Sequence, residues 1–152
     1  MTILITCEFA GSEIPDIAKQ SVPHPPSPSD SAVDSAGANA AHDLAALLHA
    51  PLIKSTFRSD YVDVSRALNH RQRFGAAASG FTPEQKHQLT EQVYRPYHER
   101  VRSAIDQILQ QFTFVIHLSV RSFPPRHQGR QQRTDIGLLY DPSRIDEQNL
   151  CI

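Results

Sequence analysis

Residues 112–120 read Phe-Thr-Phe-Val-Ile-His-Leu-Ser-Val (FTFVIHLSV), a nearly unbroken apolar run interrupted late by one histidine. A run this short, rich in β-branched and aromatic residues, suits a strand better than a helix. Its near-continuous apolar character predicts a strand covered on both faces, as in a parallel sheet between helices. Ile3–Cys7 (ILITC) has the same character at the start of the chain. Residues 52–57 predict another strand, residues 61–64 a shorter extended piece, and residues 136–140 (IGLLY) a last strand.

Helical patterns fill the intervals. In residues 38–48, Ala41, Leu44, Ala45 and Leu48 fall at helical spacing, and Pro51 marks the end. Thr82-Pro83-Glu84-Gln85 is a helix start: Thr82 caps, Pro83 suits the first helical position, and Gln85 completes a capping box. Leu89, Val93, Tyr97, Val101, Ile105 and Ile108 then form one apolar stripe, and Pro96 inside it predicts a kink or a split. Residues 8–15, 21–31, 69–80 and 121–133 read as loops; Pro23, Pro25, Pro26 and Pro28 exclude helix and central strand from the second. Strands alternating with helices give an α/β class with a largely parallel sheet. No internal repeat is present.

The 152 residues suit a single domain over 1–152. Charged residues make up 20% and the formal net charge is −1, so the overall balance gives no reason to invoke nucleic acid or an anionic membrane. Two cysteines, Cys7 and Cys151, form no C-x-x-C pair and no disulfide framework. The N-terminus lacks the pattern of a signal peptide, and no run approaches the roughly 20 apolar residues of a membrane span. The expectation is a cytoplasmic protein.

In open α/β sheets, ligands bind beyond the carboxyl ends of the strands. Glu8 follows the first strand, and His117 sits in the late one. A catalytic zinc needs about three N or O ligands and an open position for water. Glu8 and His117 are two candidates; Asp34 and Asp63 are candidates for a third ligand or a general base. Structural alternatives stand beside each. His117 suits a hydrogen-bonded core histidine, Asp34 suits a helix cap before residues 38–48, and Asp63 pairs naturally with Arg66, an interaction worth about 0–1 kcal/mol at a surface. The 121–133 loop carries Arg121, Arg126, Arg130, Arg133 and His127 with no acid. Arginine forks match carboxylates bidentately, which suits a small anionic substrate; a solvated loop is the plain alternative. Cys7 ends a strand, but no sequence signature supplies it with a base.

Six motifs then come in order: ILITCEFAG at the start, DSAGA from Asp34, DVSRALNH from Asp63, YRPY from Tyr94, HLSVRSFPP from His117 and RTDIGLLYDPSR from Arg133. Together they resemble the N-formylglutamate amidohydrolase family over nearly the whole chain. The resemblance implies a three-layer fold like those of zinc carboxypeptidases (phosphorylase/hydrolase-like). It implies zinc-dependent hydrolysis of a linear amide, N-formyl-L-glutamate going to formate and glutamate. His117 would be the metal ligand, and Asp34, Asp63, Arg66 and Arg133 match residues of the family's motifs. Taken together with the residue patterns, Glu8, Asp34 and Asp63 are the candidate catalytic acids and Arg66, Arg121 and Arg133 the candidate substrate-binding cations. The sequence departs from the family pattern at three places: Phe9 and Arg121 stand where histidines are usual, and Ser65 stands where asparagine is.

Two readings follow. One is a metal-dependent hydrolase cleaving the C–N bond of a small N-acyl amino acid. The other is a catalytically inactive or truncated homologue that at most binds a carboxylate ligand. Family members usually run on by about a further third, so the resemblance also predicts a chain cut short at its C-terminus, with an uncovered sheet edge that favours a homo-oligomer.

Overall fold

The computed structural model describes residues 2–21, 32–127, 130–131 and 134–151, without the side chains of residues 126, 127 and 130. The proline-rich segment 22–31 and Arg133 lie outside the described residues. Two compact units are present, Met1–Ser122 and Phe123–Ile152.

The first unit is built on a three-stranded parallel sheet of order β2-β1-β3. β1 is Ile3–Cys7, β2 is Leu52–Lys54 and β3 is Ile116–Ser119. β1 pairs with β3 in the register Ile3↔Ile116, Leu4↔His117, Ile5↔Leu118 and Thr6↔Ser119. Successive side chains on a strand point to opposite faces, so this register sorts the residues into two columns. Ile3, Ile5 and Cys7 share one face with Ile116 and Leu118, and pack against Ala41 and Ala45 of helix α2 (Ser35–Leu48). Leu4 faces the other way and joins a core with Val93, Tyr97 and Val101. Helices therefore cover both faces of β1, as the α/β pattern predicts.

β1 is buried along its whole length. β3 differs from its expected state. Residues 112–120 predict a strand covered on both faces, yet only 116–119 form it, and its residues alternate half-buried and exposed. The cause is position: among the described residues β3 has β1 as its one ladder partner, which makes it an edge. Phe112 and Phe114 precede the strand and are exposed. β2 likewise stops at Lys54; beyond it Ser55 bonds back to Cys7 O at 3.0 Å before the chain turns away. The extended piece expected at 61–64 reduces to a single bridge between Val62 and Phe74, though Tyr61, Val62 and Val64 are core residues.

Two helices precede and follow the expected ones. α1 (Asp16–Ser21) lies in a stretch with no strong periodicity and buries Ala18. α3 (Pro83–Leu89) starts on the predicted capping box, with Gln85 N donating to Thr82 Oγ1 at 3.2 Å and Thr82 N to Gln85 Oε1 at 2.8 Å. Pro96 splits the helical path without breaking it. Residues Thr90–Tyr94 form a π-helical turn, closed by Arg95 N donating to Thr90 O, and α4 (Arg95–Leu109) resumes from there. Proline has no N–H for the regular ladder, and the wide turn absorbs the mismatch. It also brings Val93, Tyr94 and Tyr97 to the core side together. No helix among the described residues is long and apolar enough to cross a membrane.

The second unit holds a short antiparallel pair, β4 (Arg126–His127) with β5 (Arg130–Gln131), inside the segment read as a loop. α5 (Ile145–Cys151) follows and buries no residue. Residues 136–140 are not a strand. A strand exists through ladder hydrogen bonds, and this stretch makes none; Ile136, Leu138 and Leu139 are exposed.

Candidate functional site

The site follows from the period-two sorting of β1 and β3. Thr6 and Glu8 stand two apart at the end of β1, and His117 and Ser119 two apart on β3, so the four side chains form a polar column on one face. Thr6 Oγ1 lies 2.9 Å from His117 Nε2. Ser119 Oγ donates to Glu8 Oε2 at 2.6 Å. From α4 above, the Tyr97 hydroxyl donates to Glu8 Oε1 at 2.7 Å. Glu8 is only 6% exposed, so a carboxylate has been taken out of water. Burial alone pushes its pKa up, but the Ser119, Thr6 and Tyr97 hydrogen bonds outweigh burial and hold the carboxyl below its ordinary value. Burial, the Glu8 charge and the hydrogen bond to it drive the Tyr97 phenol far up, so it serves as a donor. Burial pulls His117 down and the nearby Glu8 opposes it; the net direction is down, which favours neutral imidazole.

A second constellation holds Asp34. It caps α2, with Gly37 N donating to Oδ1 at 2.7 Å, and its own N–H donates to Phe9 O at 2.7 Å. Ser122, just past β3, adds a backbone bond to Oδ2 at 2.6 Å and a hydroxyl bond to Oδ1 at 2.8 Å. A Cβ on residue 37 would overlap the Asp34 carboxylate, which explains the glycine. Burial raises the Asp34 carboxyl, but these bonds and the charge of Arg121 bring it below its usual range. Asp34 thus carries the capping task that its sequence position suggests, and it ties α2 to the end of β3.

Asp63 and Arg66 form a third group. Asp63 Oδ1 accepts from Ser65 N at 3.0 Å and Ser65 Oγ at 2.6 Å, and Oδ2 accepts from Arg66 Nε at 2.8 Å. Their loop hangs from the helix that also holds Glu8: the Tyr94 hydroxyl donates to Arg66 O at 2.8 Å, and His98 Nε2 lies 3.0 Å from Val64 O. Tyr94 and Tyr97, brought to one side by the π-turn, thus anchor the Asp63–Arg66 loop and Glu8 respectively.

Phe9 and Arg121 touch. The Arg121 guanidinium lies 5.1 Å from the centre of the Phe9 ring. Both residues sit just beyond the carboxyl ends of adjacent parallel strands, where α/β proteins place ligands. A cavity of about 490 Å³ lies elsewhere, along Pro96, Arg100 and Ser103 of α4, and none of the candidate residues lines it.

The donor set does not fit a catalytic zinc. Among the described residues no group of three or more histidine, cysteine, aspartate or glutamate side chains comes together. His117 Nε2 is engaged by Thr6, and both oxygens of Glu8 and of Asp34 accept hydrogen bonds. Phe9 offers no ligand atom. Thr6, Tyr97, Ser119 and Ser122 are participants that motif reading passed over. Three of them were legible: Thr6 and Ser119 share the face of Glu8 and His117 by alternation, and Tyr97 lies on the buried stripe.

An α/β domain with an ionised carboxylate and a neutral histidine at the carboxyl edge of a parallel sheet is the class these features define. Within it, the chain belongs to the N-formylglutamate amidohydrolase family, whose model matches residues 1–148. Among solved structures it is similar to the gene product Atu2144 of Agrobacterium tumefaciens, with a TM-score of 0.80 and 23% identity over 93% of this chain and 60% of that one. That likeness shows the fold, and the chain spans about 60% of the length of that relative. No curated protein matches the chain.

Proposed function

We propose that this chain receives a small N-acyl amino acid at the carboxyl edge of β1 and β3 and acts on its amide C–N bond as an amidohydrolase. The observation that carries this reading is Glu8, a buried carboxylate kept ionised by Ser119 and Tyr97 beside a neutral His117. Glu8 stays ionised at neutral pH, so it can accept a proton from an attacking water once one of its donors gives way, and its depressed pKa makes it a weak base. Asp34 and Asp63 hold the surrounding segments in place, and Arg66 and Arg121 are the cations of this unit for a substrate carboxylate. Helices on both faces of the parallel sheet support the relation to zinc carboxypeptidase-like folds that the family resemblance implies. No step is assigned to zinc, because the donors do not assemble around one.

That same donor set favours a second reading, binding of the carboxylate ligand without turnover. One experiment separates the two. The purified chain is incubated with N-formyl-L-glutamate, formate is measured, and binding is followed by calorimetry. Formate above the no-protein background, lost in Glu8→Gln, supports hydrolysis. Binding without formate supports the second reading. Neither binding nor formate removes both.

A further inference from the structure

Where the family pattern has two histidines, this chain has two residues that are in contact. Phe9 follows Glu8 beyond β1, and Arg121 follows Ser119 by two residues beyond β3. The guanidinium lies over the Phe9 ring at 5.1 Å, a distance at which the aromatic face attracts a cation. Arg121 is exposed, so its N–H groups are open to an acceptor arriving from solution. Arg121 makes no hydrogen bond and no ion pair among the described residues. The carboxylate of Asp34 feels its charge, but already accepts from Gly37 N, Ser122 N and Ser122 Oγ. The carboxyl edge of β1 and β3 thus carries an exposed cation held against an aromatic ring.

We infer that Arg121, laid on Phe9, is the built-in cation of this site, and that the chain binds a carboxylate anion there without a metal ion. The inference rests on the site reading given under the proposed function. A pair of histidines must gather a cation from solution. Phenylalanine cannot ligate one, and a guanidinium repels one while carrying the positive charge itself. The two replacements therefore act in one direction: they exclude the dication and substitute a fixed charge that recognises the anionic end of the ligand.

The test uses the full chain, dialysed against chelator, and calorimetric titration with N-formyl-L-glutamate and its neutral dimethyl ester. The metal-free chain is expected to bind the diacid and to bind the diester at least about tenfold more weakly, the scale of one lost charge-assisted pair. Arg121→Gln should weaken diacid binding by about tenfold or more and leave diester binding unchanged. Arg121 is exposed, so folding should persist, which circular dichroism checks. The double variant Phe9→His/Arg121→His should lose metal-free binding and gain zinc, read by metal analysis. Diacid binding that appears only with added zinc overturns the inference and leaves the proposed function standing, as does binding that is equal in Arg121→Gln. No binding with or without zinc overturns both.

Discussion

Replacing Tyr97 by phenylalanine isolates the bond on which the proposed site depends. The ring is 6% exposed and packs in the core, so Tyr97→Phe keeps the shape and removes one oxygen. That oxygen donates to Glu8 Oε1 at 2.7 Å, while Ser119 holds Oε2 at 2.6 Å. A hydrogen bond to a charged group is worth about 1.5–3 kcal/mol, and little water reaches Glu8 to replace it. For a domain of this size each kcal/mol moves Tm by about 2–4 °C, so a drop of about 3–12 °C at pH 7 is expected. The pH dependence sharpens the test. The folded Glu8 carboxyl lies below the ordinary value of 4.5. Its stabilisation is therefore complete above that value and is lost as pH falls through the folded pKa. Without the Tyr97 donor the folded carboxyl rises, so the cost of the substitution should be largest at neutral pH and shrink below about pH 4. Paired unfolding curves of the two proteins at pH 7 and pH 3.5 measure this. A cost under about 0.5 kcal/mol at pH 7, or one that does not shrink on acidification, would refute the claim that Tyr97 holds an ionised Glu8.

Other perturbations reach separate parts of the structure. Gly37→Ala drives a Cβ into the Asp34 carboxylate and disturbs the α2 cap and the Ser122 clamp, so a loss of about 1–3 kcal/mol is expected in chemical denaturation; an unchanged midpoint would contradict the clamp. His117 has a folded pKa below the ordinary histidine value of 6.5, so the unfolded chain takes up protons that the folded one refuses. Its contribution is complete above about pH 6.5 and is lost as pH falls from there toward the folded pKa, and His117→Gln should flatten the stability profile over that window. Asp60 pairs with Arg58, a guanidinium only 3% exposed. Asp60→Asn removes one charged partner of a buried cation and should destabilise by about 1–3 kcal/mol in urea unfolding, and an unchanged midpoint would mean that the pair is dispensable.

How much of this was legible in the sequence depends on how local the cause was. The bounds of β1 follow from a short run of four apolar residues and one threonine at a position where helices cover both faces. The α3 start follows from capping chemistry confined to Thr82–Gln85. Asp34 as a cap was equally local. The length of β3 was not, because residues 112–120 carry the composition of a central strand while the sheet places 116–119 at an edge. Residues 136–140 have strand composition too, yet a strand requires a partner, and composition does not supply one. Pro96 showed that the helix must change there, but the choice of a π-turn over a kink was set by packing: it lets Val93, Tyr94 and Tyr97 all reach the core. The Phe9–Arg121 contact joins residues 112 positions apart, and only the β1–β3 register brings them together.

The polar column and the Phe9–Arg121 pair answer to different constraints, and that difference bears on how the site came to depart from the family pattern. Thr6, His117 and Ser119 lie within the ladder, and Glu8 directly follows it. Their direction is fixed by the pleat and their polar atoms are partly withdrawn from water, so each needs its partner on the same face. Changing one strands another: without Ser119, the Glu8 carboxylate loses a donor at 2.6 Å in a place where desolvation is costly. Phe9 and Arg121 lie beyond the strand ends, where the pleat no longer dictates orientation and where Arg121 is open to water. They are free to vary without loss to the sheet. A change of chemistry at positions 9 and 121 therefore leaves the buried acid and its Ser119 and Tyr97 donors in place.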